Sequence, residues 1–220
     1  MFPQTFPERQ RRELSPLINP GTTIKHRAES MPNYGDPKYW DDRYTDAGKD
    51  AAFDWLESYS SLSSLLGQFM PHKDIRILVL GCGNAEFSED LYDDGYHNVV
   101  NVDISSVCIE QMSQRNAEVR PEMSWLVMDI TDMSEFSDSS FDLAIDKSTI
   151  DALLCGDDSF LKVAMMLKET QRVLKTDGIY FAISYGKPDS RSFHFSQPFL
   201  KFENREFILY DSDCVNEEEK

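Results

Sequence analysis

The segment "ILVLGCGNAEFSEDL", Ile77 to Leu91, joins an unbroken aliphatic run to a Gly-Cys-Gly turn and then to a helical pattern. Consecutive aliphatic residues suit a strand buried on both faces, the condition of a parallel sheet. The two glycines let bare backbone approach a ligand beside the N-terminus of the next helix, expected near Asn84 to Glu86. Strands are predicted at Ile75–Leu80, Val99–Asp103, Met123–Met128, Phe141–Asp146 and Ile179–Ser184. Helical patterns near 85–93, 105–117 and 159–174 separate them, and a further helix at Ser61–Phe69 precedes them. This alternation predicts an α/β fold: a mostly parallel sheet covered by helices on both faces, with ligands bound at the carboxyl ends of the strands.

Residues 1–35 are rich in Pro, Arg and Thr without helical or strand period, so a flexible arm is expected there. Order is expected from Asp36. In "DPKYWDDRYTDAG", Asp36 is placed to cap a helix with Pro37 at its first position. Tyr39, Trp40 and Tyr44 then share one side of that helix, either packed on the sheet or facing a ligand. One domain over 36–211 and an acidic tail over 212–220 complete the expected organisation.

With 22 Lys and Arg against 39 Asp and Glu, the net charge is −17. Such a field repels nucleic acid and anionic membrane and favours a basic partner, while also serving solubility. The four cysteines are scattered without a CxxC pair or zinc-like His spacing, which reads as reduced thiols and no metal site. No apolar run approaches the ~18 residues of a membrane span, and the first residues lack a secretory apolar core, so a soluble cytoplasmic protein is expected.

The strand ends narrow the ligand. A dinucleotide fingerprint would place its third glycine at position 86, where this chain has Glu86, a carboxylate beside the helix N-terminus that should hold phosphates. Asp103 closes the second strand, 22 residues after Gly81, where a carboxylate accepts both hydroxyls of a ribose. Met128-Asp129-Ile130 closes the third, offering an acid for an adenine amino group and an apolar face for the ring. Together these imply an adenosine-containing ligand that needs no phosphate cradle, for which S-adenosylmethionine is the candidate.

Beyond these spacings, the chain resembles class I S-adenosylmethionine-dependent methyltransferases of the methyltransferase-like 13 and elongation factor 1-alpha lysine methyltransferase group. The resemblance spans roughly residues 34–210 and is carried by "YGDPKYWDDRY", "FDWLESYSSL", "GCGNAEFS", "NVDISS", "VMDITDM", "DKSTIDALL" and "ISYGKPDSRSFHF". It implies a Rossmann-like fold in which Gly81 and Gly83 approach the methionine part of the cofactor. Asp103 would bind the ribose with Ile104 beside the adenine, and Asp129 and Ile130 would hold the adenine edge and face. It further implies that Trp40, Tyr44 and Trp55 wall the pocket, with Lys147 at the end of the fourth strand. Aromatic faces there suit a sulfonium, attracted by ~0.5 to 2 kcal/mol.

A lysine acceptor must lose a proton before it attacks, and Asp146, Asp151 and Tyr185 near the strand ends are the candidates to orient its amine. Asp151 equally suits an N-cap or salt bridge, and Lys147 a pairing with a cofactor carboxylate or a neighbouring Asp. Arg191 and His194 either meet a substrate or belong to a surface loop. The first functional reading is methylation of a lysine on a basic protein surface, elongation factor 1-alpha being the suspected partner. A small-molecule methyltransferase and a non-catalytic cofactor-binding protein are the alternatives. "FLKFENREFILYD" can supply a sixth strand, but "SDCVNEEEK" is too short and acidic for the buried antiparallel strand with which the group ends. The chain is therefore expected to lack that strand, leaving the fifth strand's outer edge open or covered by residues 199–210.

Overall fold

The computed structural model describes residues 32–207 and 209. The expected arm through residue 31 and the 212–220 tail lie outside them. Five strands, β1 (Ile77–Leu80), β2 (Val99–Asp103), β3 (Ser124–Val127), β4 (Phe141–Lys147) and β5 (Leu174–Ile183), form one sheet in the order β3-β2-β1-β4-β5. Every pairing is parallel. The order reverses between β1 and β4, so the loops after these strands diverge and leave a crevice at their carboxyl ends.

β1 and β2 are buried at every position, which is why their sequences run apolar rather than alternate. Ile77 and Val79 point into one core with Leu62, Leu66, Phe87 and Leu91. Those four residues come from α2 (Tyr59–Leu66) and α3 (Phe87–Asp93). Leu78 and Leu80 point into the other core with Val163, Met166 and Leu167 of α6 (Ser159–Val173). By contrast β3 is an edge strand with mostly exposed residues.

α1 (Pro37–Ala47) begins as expected: the Asp36 carboxylate accepts the Lys38 N–H at 3.0 Å and Pro37 opens the helix. It is fastened to the loop before α4 (Ser106–Asn116) by the Ser105 hydroxyl, which donates to Asp41 at 2.6 Å. Two helices were not legible: α5 (Thr149–Leu154), only 6 residues long, and α7 (Pro188–Phe195), opened by Pro188 in a stretch that reads as a loop.

The sixth strand expected from residues 199–211 does not form across 199–207. Instead Phe202 stacks on Tyr180 with ring centroids 6.0 Å apart, while Phe207 lies 5.8 Å from Phe69, itself against Phe181. Tyr180 and Phe181 point to opposite faces of β5. The segment therefore crosses the outer edge of β5 held by aromatic packing, with no strand pairing among the described residues.

Candidate active site

The glycine turn after β1 needs both of its glycines. Gly81 has φ +60° and Gly83 φ +57°, the left-handed region that residues with a Cβ avoid. A Cβ at Gly81 would also collide with the Thr149 side chain, whose Cβ lies 3.1 Å away, and one at Gly83 would sit 3.0 Å from the Tyr44 hydroxyl. Thr149 opens α5, just past β4, and donates its hydroxyl to the Leu80 carbonyl at 2.8 Å. The turn is thus fixed by a residue that sequence spacing did not single out.

Asp103, at the end of β2, is buried, and burial raises its carboxyl above the ordinary range. Oδ2 accepts the Gly83 N–H and Oδ1 the Ser105 N–H, both at 2.9 Å. One backbone donor on each oxygen orients the carboxylate and leaves acceptor capacity on both. Asp129 is exposed, and its Oδ1 accepts the N–H and the hydroxyl of Thr131 at 2.9 and 2.7 Å. Met128 and Ile130 beside it are buried.

The aromatic wall is continuous. Trp40 stacks on Tyr44 with centroids 5.9 Å apart and donates its indole N–H to the Tyr34 carbonyl at 2.8 Å. Trp55 meets Trp40 edge-on at 6.4 Å, and the Arg43 guanidinium lies 5.3 Å from its ring centre. Trp55 belongs to a strap over 51–58, between α1 and α2. The Lys147 ammonium ties that strap to β4, donating to Asp54 Oδ1 at 2.8 Å and to the Trp55 carbonyl at 2.9 Å. The aspartate that Lys147 pairs with is Asp54.

The three acceptor-side candidates separate. Asp146 is fully buried and does not line the cavity: it accepts Thr149 N–H at 2.8 Å, Ile150 N–H at 3.2 Å and the Tyr180 hydroxyl at 2.7 Å. Burial raises its carboxyl to about 6, with the Tyr180 bond the leading opposing influence. It therefore organises the start of α5, a correction to the expectation that it faces an amine. Asp151 does line the cavity. Its carboxylate accepts the Ser184 hydroxyl at 2.7 Å, the Tyr185 N–H at 3.0 Å and a guanidinium bond from Arg191. Tyr185 is thereby held at the rim with its side chain exposed.

Arg191 is engaged by Asp151 and by Ser184, whose hydroxyl accepts its Nε–H at 2.8 Å. The guanidinium lies against Gly186 so closely that a Cβ there would collide with it. His194 is buried against Phe160, centroids 5.0 Å apart, and burial holds its imidazole below the usual value. Neither side of the open choice for these two residues describes them well: α7 is a helix, and both side chains are engaged inside the protein.

Gly81, Gly83, Asp103, Ile104, Asp129 and Ile130 line one cavity of about 360 Å³ with Trp40, Tyr44, Trp55, Lys147, Asp151 and Tyr185. The residues fit S-adenosylmethionine on three counts. The glycine cradle would be filled by a Cβ, Asp103 retains acceptor capacity on both oxygens, and Glu86, Glu89 and Asp90 at the start of α3 disfavour a phosphate-bearing ligand.

The comparisons with known proteins agree with this geometry. The methyltransferase domain family matches residues 78–182. The eEF1A lysine and N-terminal methyltransferase of Bos taurus is 44% identical over 158 residues, which cover 71% of this chain and 22% of that protein. The chain thus matches about a fifth of the length of such relatives. EEF1A lysine methyltransferase 4 of Bos taurus is 33% identical over 188 residues, covering 82% of this chain and 72% of that protein. Among solved structures, a phosphoethanolamine N-methyltransferase of Haemonchus contortus shares the fold, with TM-score 0.53 and 19% identity over 71% of this chain and 33% of its own. With its all-parallel sheet, strand-end cavity and these relatives, the chain belongs to the class I methyltransferase family that contains the eEF1A lysine methyltransferases.

Proposed function

We propose that the protein transfers a methyl group from S-adenosylmethionine to a lysine side chain of a basic protein surface, with elongation factor 1-alpha the leading substrate and the cytoplasm its place of action. The observation that carries this reading is a single cavity with two unlike walls. One holds the glycine turn, Asp103 and Asp129; the other brings Asp151 and Tyr185 to an open rim. The activities for which the eEF1A methyltransferases are named support the substrate class.

In this reading Asp103 receives the ribose, Ile104 and Ile130 take the faces of the adenine, and Asp129 takes its amino group. Gly81 and Gly83 admit the methionine part, and Trp40, Tyr44 and Trp55 close over the sulfonium, with Lys147 holding the strap that carries Trp55. The cofactor supplies an electrophilic methyl group when bound. The chain then has to present an uncharged amine in line with it. An amine of pKa near 10.4 is deprotonated more readily in a partly apolar channel, since desolvation disfavours the ammonium. Asp151 sits in such a channel already engaged by Arg191, Ser184 and Tyr185, so its role is to shape the rim and receive a hydrogen bond from the amine rather than to act as a dedicated base.

The test is incubation of the purified chain with labelled cofactor and purified elongation factor 1-alpha, followed by mass spectrometry. Label on a lysine of the factor is the expected result. Label that enters only RNA or small molecules from a lysate would overturn it.

A further inference from the structure

The inward stripe of α6 runs Val163, Met166, Leu167, Thr170 and Val173, all buried. One turn earlier the same stripe continues to Phe160, which is 61% exposed because the sheet ends before it. Phe160 touches Phe193 of α7, centroids 5.8 Å apart, and Phe193 is itself 59% exposed. Leu161 is 61% exposed on the neighbouring position of the helix. Phe160 and Phe193 therefore form an exposed apolar pair where two helices overhang the carboxyl end of the sheet, and Leu161 adds exposed apolar surface one position along α6. Contiguous apolar surface of this kind, away from the core, marks a contact site.

Its position is informative. Lys162, between Leu161 and Val163, lines the cavity, and so do Leu153 and Cys155 just before α6. Arg191, two residues before Phe193, is bound to Asp151 at the cavity rim. The apolar surface is thus carried by α6 and α7 next to residues that line or border the cavity. Asp157, Asp158 and Asp189 are exposed around it, and Glu206 is held beside α7 by Ser192 at 3.3 Å. The opposing cations are Lys162, Lys187 and Arg191, the last paired with Asp151. The balance is acidic, in keeping with the net charge of −17.

We propose that the Phe160–Leu161–Phe193 surface is the docking platform for the protein substrate, which would present an apolar side chain and basic neighbours close to its target lysine. This rests on the methyltransferase reading above. Apolar contact supplies most of the affinity, because surface charge pairs add little and mainly steer the encounter.

The test compares the full chain with Phe160→Ser/Phe193→Ser and, separately, with Leu161→Ser. The measurements are cofactor affinity by calorimetry, kcat and KM for methylation of purified elongation factor 1-alpha, and mass in solution by light scattering. The double variant should raise KM at least tenfold, leave kcat and cofactor affinity within about twofold, and remain folded by circular dichroism. Leu161→Ser should raise KM severalfold and guards against a folding defect in the double variant. Unchanged KM in folded variants overturns the platform while leaving the methyltransferase reading intact. A wild-type dimer that the variants dissociate without a change in KM would make the surface an interface between copies and also overturns it. If the wild type binds cofactor but methylates no protein, the functional reading fails first.

Discussion

Asp103 and Asp146 close neighbouring regions of the same sheet end, and both are buried carboxylates that burial pushes upward. They differ in how much of their acceptor capacity is taken. Asp103 takes one backbone N–H on each oxygen and lines the cavity. Asp146 takes two backbone N–H groups and the Tyr180 hydroxyl, and lies beneath the cavity floor. A strand-end aspartate is therefore a ligand group only where the fold leaves part of its acceptor capacity unused. Otherwise it holds the protein together.

That contrast breaks most visibly on removing each side chain. Asp146→Ala orphans three buried donors, so it should cost about 3 kcal/mol or more of stability by denaturant unfolding. Cofactor affinity of the folded fraction should stay within a few-fold of wild type. Asp103→Ala should do the reverse, weakening S-adenosylmethionine binding by roughly 1.5 to 3 kcal/mol in calorimetry with a smaller loss of stability. If both variants lose affinity equally while folded, the division of roles is wrong.

Next in size is Gly81→Ala, which forces a Cβ into the left-handed region and against Thr149. It should cost roughly 1 to 3 kcal/mol. Thr149→Ala removes both the hydroxyl and the methyl that the new Cβ would meet, and in the Gly81→Ala background it should recover part of that loss. Recovery with Thr149→Ala would tie the strain to the start of α5 rather than to φ alone.

A further effect is in pH. For Asp146 the folded carboxyl is raised from 3.8 to about 6, so between those values the folded state keeps a proton that the unfolded chain has lost. This group's contribution to stability falls as pH rises through about 4 to 6 and is flat above. Asp146→Asn lacks the titration, so its melting temperature relative to wild type should improve across that window. A constant difference would show that the carboxyl is not raised.

Much of the fold was legible because parallel strands announce themselves as aliphatic runs. β2 falls at Val99–Asp103 as predicted, and β1, β3 and β4 differ by one or two residues at their ends. Asp36 and Pro37 likewise stated the start of α1 in their chemistry. What escaped depends on partners distant in sequence. Thr149 matters because Gly81 is 68 residues away in the chain, and the Lys147 tether needs Asp54, 93 residues away. No local period signals such pairs. Asp146, Asp151 and Tyr185 looked alike as strand-end groups, and only the third dimension separates a floor, a rim support and a rim.

The crossing of the β5 edge by residues 199–207 has a thermal consequence. Phe202 on Tyr180 and Phe207 on Phe69 close that edge by apolar contact, without strand pairing. Apolar association weakens on cooling. The cover should loosen in the cold sooner than the sheet does, baring backbone groups that another chain can pair with. A preparation held near freezing should accordingly be more inclined to self-associate than one kept at room temperature.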